Sequence, residues 1–111
     1  MLETPIQRSI LDLLMMKGVK CWRSQPTPVP IRRGKAIVGL RRVDPHLKGM
    51  PDISAIIKGQ YIGIEVKTAT GKQEPDQKRW EQEIVKAGGV YILARSTFDV
   101  MNGLAAKSIF I

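Results

Sequence analysis

The sequence predicts a single α/β domain. Three observations carry that expectation: apolar residues recur at helical spacing near the start, two-residue alternation runs through the fifties and sixties, and helical stretches then alternate with short apolar runs. The expected element order is α-β-β-β-α-β-α-β. At 111 residues, 43% hydrophobic and 25% charged, the chain suits one domain with one core, and its composition is neither that of a disordered tail nor that of a membrane protein.

The first helix is expected over about residues 4–17. Thr4 can serve as N-cap, Pro5 suits the first helical position and Gln7 completes a capping box. Ile6, Ile10, Leu13 and Leu14 then repeat at intervals of three and four, and Gly18 ends the pattern. Val19-Lys20-Cys21-Trp22 is expected to begin a strand. The run Gln25-Pro26-Thr27-Pro28-Val29-Pro30 excludes a helix and a central strand, because each proline lacks an N–H donor, so it reads as a loop or an edge. Ile53-Ser54-Ala55-Ile56-Ile57, a Lys58-Gly59-Gln60 turn and Tyr61 to Lys67 predict an antiparallel hairpin. Alternation puts Ile62, Ile64 and Val66 on one face of its second strand, with Tyr61, Gly63, Glu65 and Lys67 on the other. Glu74-Pro75 opens a second helix that stops at Gly88-Gly89, and Gln77, Trp80, Ile84 and Ala87 share its sheet-packing face. Val90–Ala94 reads as a buried strand. Ser96 or Thr97 caps a third helix to about Ala106, and Ile109-Phe110-Ile111 is expected to form an edge strand.

One cysteine, Cys21, excludes an internal disulfide, and with one histidine, His46, the chain cannot supply a Cys/His zinc site. A metal would have to be held by oxygen. No apolar run approaches the roughly 20 residues that cross a bilayer, and Met1-Leu2-Glu3-Thr4-Pro5 lacks the basic and apolar regions of a signal peptide. A soluble protein of the cytoplasm, with no membrane partner, is the expectation.

The net charge is +8, and its distribution says more than its total. Residues 20–48 hold eight basic side chains against Asp44 alone, and the remainder is close to balanced. Such a segment attracts a polyanion, so Arg32, Arg33, Lys35, Arg41, Arg42 and Lys48 are candidate phosphate contacts on nucleic acid. They are better suited to the backbone than to base reading, since no recognition helix is evident. A solvated basic loop is the plainer alternative.

The chemistry is expected further on. Gly49-Met50-Pro51-Asp52 puts a carboxylate where a turn enters the first hairpin strand, and a hairpin centred on Gly59 brings Asp52 beside Glu65. Two adjacent carboxylates repel unless a cation lies between them, and magnesium favours one or two carboxylates together with water and phosphate. Lys67 projects from the same face as Glu65, where an ammonium can orient water or stabilise charge on phosphate. Gln77 brings an uncharged donor and acceptor to the edge of that pocket. Singly these features are commonplace, since Glu-x-Lys on a strand is usually a solvated face.

Together, Gly49-Met50-Pro51-Asp52, Glu65-Val66-Lys67 and Gln77 with Trp80 resemble the signature of the VRR-NUC (virus-type replication-repair nuclease) domain, a branch of the PD-(D/E)XK nuclease superfamily. The resemblance spans Glu3 to about Ser96 and implies a central mixed β-sheet flanked by α-helices. It further implies that Asp52 and Glu65 bind Mg2+ or Mn2+ with the Val66 carbonyl as a further ligand. Lys67 is then the catalytic lysine and Gln77 an active-site residue, while Glu3 matches the family's acidic residue near the start of its first helix, which gives it too a metal-directed role. Standalone members of this length resemble phage and bacterial enzymes that cut four-way DNA junctions as homodimers, which agrees with the need for two symmetric cuts. The expected activity is that of a metal-dependent Holliday junction resolvase. Alternatives are an endonuclease of the same fold acting on flaps, nicked or single-stranded DNA or a specific sequence, and a non-catalytic nucleic-acid binder. The segment holding Pro26, Pro28 and Pro30 is expected to grip DNA or pair subunits. His46 reads as a loop residue or phosphate contact, Cys21 as a small buried apolar residue, Trp22 as packing and Trp80 as the anchor of the second helix.

Overall fold

A computed structural model describes residues 3–24, 29–41 and 44–111. Pro26, Pro28 and Arg42 lie outside them. Four strands form a mixed sheet in the order β1-β4-β5-β6, where β1 is Lys20–Arg23, β4 Ile53–Ile57, β5 Gln60–Val66 and β6 Val90–Ala94. The pairs β1–β4 and β4–β5 are antiparallel, and β5–β6 is parallel. Helix α2, Pro75–Lys86, supplies the connection that a parallel pair requires. Helices α1, Glu3–Met16, and α3, Thr97–Ala105, pack together on the face carrying Ile53, Ala55, Ile62, Ile64, Val66 and Ile92. Among the described residues, no helix is long and apolar enough to cross a membrane.

The β4–β5 hairpin turns tightly at Lys58 and Gly59, whose φ values of 51° and 77° are those of a type I′ turn. That turn fixes the register Ile53↔Ile64, so Ile62, Ile64 and Val66 face the core as the alternation predicts. On the opposite face α2 rests on Gly63, where a Cβ would lie 2.8 Å from Pro51 Cγ and 3.1 Å from Ile84 Cδ1. Of the four residues expected on the α2 packing face, Gln77 and Ile84 are buried and Trp80 is half-buried, but Ala87 is exposed.

Several expectations are corrected. Helix α1 already includes Glu3, so Thr4 and Pro5 lie inside its first turn, and Leu11 rather than Leu13 joins Ile6, Ile10 and Leu14 in the core. Two strands were not foreseen: β2, Val29–Arg33, and β3, Ala36–Arg41, pair only with each other, as a separate two-stranded ribbon. Pro30 is tolerated in β2 because both strands of such a ribbon are edges. The expected strand at Ile109-Phe110-Ile111 is absent. Ser108 takes a left-handed φ of 59°, its N–H bonds to Ala105 O, and Ile109 N–H reaches back to Leu104 O at 2.9 Å. This is a Schellman ending, and its apolar residue Ile109 is buried against the core to close α3 instead of extending the sheet.

Candidate metal and catalytic site

The turn before β4 is shaped by two close approaches. Gly49 has φ 89°, and a Cβ there would lie 2.6 Å from the carbonyl carbon of Asp76, so the first turn of α2 sits directly against this loop. Trp80 Nε1 donates to Lys48 O at 3.0 Å and ties the same loop to α2. On its other side Ser24 donates from its amide to Asp52 O at 2.9 Å and from its hydroxyl to Pro51 O at 2.7 Å. Asp52 is thus held from both sides.

Extending the hairpin register by one residue places Asp52 opposite Glu65. Both are buried, at 5% and 2% exposure, in a chain with few buried charges. Asp52 Oδ2 accepts the Val66 N–H at 2.8 Å. Glu65 Oε2 accepts from Gln77 Nε2 at 3.0 Å and lies 3.9 Å from Lys67 Nζ. Its other oxygen, Oε1, is buried with no hydrogen-bond partner. Burial pushes the Glu65 carboxyl up to about 9, helped by the neighbouring Asp52 carboxylate; Lys67 opposes the shift and Glu3 adds to it. Two acceptors facing one another in low dielectric need something positive between them, a proton or a cation.

Gln77 has two tasks. Its Oε1 accepts the Glu74 N–H at 2.8 Å within a reciprocal capping box at the start of α2, while its Nε2 holds Glu65. The helix N-terminus therefore positions the side chain that orients the acid.

The structure brings Asp52, Glu65, Lys67 and Gln77 together. Glu3 lies in the first turn of α1, close enough for its charge to act on Glu65. Among the described residues, no group of three or more His, Cys, Asp or Glu side chains is gathered tightly enough to hold a metal. A cation at the Asp52/Glu65 pair would draw further ligands from backbone carbonyls, such as that of Val66, and from water. That all-oxygen donor set, with one carboxylate oxygen unpartnered, fits a hard divalent ion.

The basic candidates divide differently. Arg32 and Arg33 lie in β2, Lys35 in the ribbon turn and Arg41 at the end of β3, all exposed; Arg42 is outside the described residues. Lys48 lies beyond the ribbon, with its ammonium 3.5 Å from Asp76. His46 is exposed and pairs with Asp44, whose carboxyl is held low by hydrogen bonds from the His46 backbone and ring. Cys21 is half-buried beside α1, and Trp22 is 41% exposed rather than core packing.

Sequence reasoning passed over Tyr91, which pairs with Gly63 in the parallel ladder and so shares the face of Glu65. Burial raises its hydroxyl to about 12; a hydrogen bond from Gln73 at 3.1 Å opposes this, while the charges of Glu65, Glu81 and Asp52 reinforce it. It also passed over Arg95, whose guanidinium donates to the carbonyls of Thr68 and Gly71 and fixes the loop after Lys67. Alternation in β6 marks Tyr91 as facing away from the core, but nothing in the sequence marks Arg95.

No protein-family model matches the chain, and no curated protein is significantly similar to it.

Proposed function

We propose that the chain is a Mg2+- or Mn2+-dependent DNA endonuclease of the PD-(D/E)XK type, similar to VRR-NUC domains, and that it acts as a homodimer on four-way junctions. One observation carries the reading: Asp52, just before β4, and Glu65, in β5, form a buried acid pair with an unpartnered oxygen and a lysine 3.9 Å away. A structural ion pair would leave neither a second carboxylate nor an orphan oxygen at such cost.

Asp52 and Glu65, with the Val66 carbonyl, would hold the ion. Once bound, a divalent cation supplies charge neutralisation at phosphate and makes water more acidic. The chain's own groups do the rest. The Val66 N–H fixes Asp52, and Gln77 fixes Glu65, so both carboxylates are oriented before substrate arrives. Lys67, half-buried on the same strand face, can donate to a non-bridging phosphate oxygen as negative charge builds there. In the reaction the oxygen of water adds to phosphorus and one P–O ester bond breaks, which leaves a phosphate monoester and a hydroxyl.

The test is cleavage of a labelled four-way junction, a flap and a plain duplex in Mg2+, Mn2+ or EDTA, by the wild-type chain and Asp52→Ala. Junction cleavage that needs the metal and Asp52, with the duplex left intact, is the expected result. Preferential cutting of flaps or duplex would replace the junction assignment. No metal-dependent cleavage of any substrate would overturn the nuclease reading in favour of a non-catalytic binder.

A further inference from the structure

We propose that the β2–β3 ribbon is a groove-binding arm, which lies in the major groove of a DNA duplex and delivers it to the Asp52/Glu65 pair. The choice of DNA as the polyanion rests on the proposed nuclease function.

The ribbon is two antiparallel strands joined at Gly34-Lys35, with a bulge between Ile31 and Arg32. It does not pack substantially on any other described element, and residues 30–41 are exposed apart from the half-buried Gly39. A lone two-stranded ribbon is marginal in water, and its open edges and apolar side chains favour an external partner.

Charge selects the partner. Every ionisable side chain in residues 29–41 is basic, namely Arg32, Arg33, Lys35 and Arg41. A second copy laid on the ribbon would set four cations against four, and residues 44–111, with nine basic and eight acidic side chains, present no compensating excess of acid. A duplex instead offers a negative charge for about every 1.7 Å of its axis.

Dimensions agree. Strands of five and six residues extend roughly 17–20 Å, about half a turn of duplex, and a two-stranded ribbon fits the major groove, about 12 Å wide. Ile37 and Leu40, 58% and 61% exposed, pair in register with Arg32 and Pro30, so one face sets Arg32 beside apolar surface suited to thymine methyls and sugars, while Arg33 and Arg41 alternate to the other face, where their long side chains can reach phosphates at the groove walls.

Position links the ribbon to the chemistry. Ser24, before the ribbon, bonds to Pro51 and Asp52, and the segment after it runs through Pro45–Leu47 and Gly49 into Asp52. Ser24, the last described residue before the ribbon, therefore stands beside the acid pair, and the chain that follows the ribbon ends in Asp52 itself.

The experiment measures binding of a fluorescent duplex and a four-way junction in EDTA from 0.05 to 0.4 M salt, which separates it from cleavage. Replacing Arg32, Arg33, Lys35 and Arg41 together by alanine removes four phosphate-contacting charges. At about 0.9 per contact, the slope of log affinity against log salt should then shrink by about 3–4, and affinity at 0.1 M salt should fall about a thousandfold. Arg32→Lys/Arg33→Lys/Arg41→Lys should restore most of the affinity, and the thermal midpoint should hold in both variants because the ribbon does not support the core. Methyl green, which occupies the major groove, should displace the wild type where netropsin in the minor groove does not. A loss below tenfold with an unchanged slope would overturn the proposal. So would conversion of a dimer to a monomer by Ile37→Ser/Leu40→Ser with DNA affinity intact, which would make the ribbon a subunit contact. Ribbon-dependent binding by a chain that never cleaves DNA would leave the arm standing and sink only the nuclease function.

Discussion

Replacing Glu65 by glutamine tests the charge state of the acid pair directly. In the metal-free folded chain Glu65 keeps its proton to about pH 9, whereas unfolded it releases that proton near 4.5. Its contribution to stability is complete below pH 4.5 and is lost as pH rises toward 9, because over that window the folded chain binds a proton that the unfolded chain does not. Each pH unit is worth about 1.4 kcal/mol, so about 3 kcal/mol is missing at pH 7, a large part of the 5–15 kcal/mol typical of a domain. Glutamine is neutral throughout, has nearly the same shape, accepts from Gln77 through its oxygen and offers an N–H toward Asp52. Urea unfolding in EDTA, followed by circular dichroism from pH 4.5 to pH 8, should show Glu65→Gln gaining on the wild type by up to about 1.4 kcal/mol per unit, with the two nearly equal at pH 4.5. Adding Mg2+ at pH 8 should stabilise the wild type and leave the variant unmoved. Parallel pH curves for the two proteins would refute the reasoning, since Glu65 would then be an ordinary ionised carboxylate.

Other substitutions probe the supports of the site. Gly63→Ala puts a methyl 2.8 Å from Pro51 Cγ and 3.1 Å from Ile84 Cδ1, and should cost about 1–3 kcal/mol in chemical denaturation; an unchanged midpoint would mean that α2 does not seat closely on β5. Gln77→Ala removes both a capping acceptor and the donor to Glu65, for a loss of about 2–3 kcal/mol. Gln77→Glu keeps the capping acceptor but sets a third carboxylate against the pair, so its deficit should shrink from pH 8 to pH 5 in thermal melts, whereas that of Gln77→Ala should not. Lys67→Ala should lower single-turnover junction cleavage by at least about a hundredfold, with duplex affinity in EDTA changed less than tenfold; an undiminished rate would remove Lys67 from the chemistry.

Much of this was legible in the sequence because it depends on near neighbours. Alternation in residues 53–67 and the Lys58-Gly59 turn fix which side chains face the core, and the same register sets Asp52 across from Glu65. Capping residues and glycines located α2 and its end to within a residue or so. What misled was apolar content without context. Ile109-Phe110-Ile111 has the composition of a strand, yet Ile109 is consumed in closing α3, because Ser108 adopts a left-handed conformation usually left to glycine. The ribbon was hidden by the opposite effect, since Pro30 and the dense basic residues argue against a strand that must be buried but not against one with two open edges.

The sequence by itself determined which groups are available: oxygen ligands without a Cys/His set, one lysine two residues beyond a glutamate, and a basic excess confined to residues 20–48. Only the tertiary structure decided their state. Burial depends on what packs above a side chain, so it took α2 seated on Gly63, with Gln77 reaching down from its first turn, to turn Glu65 from a surface carboxylate into a buried acid whose carboxyl is pushed up beside Asp52. It likewise took the strand pairing, which joins β2 and β3 only to each other, to turn a basic stretch into a separate two-stranded ribbon.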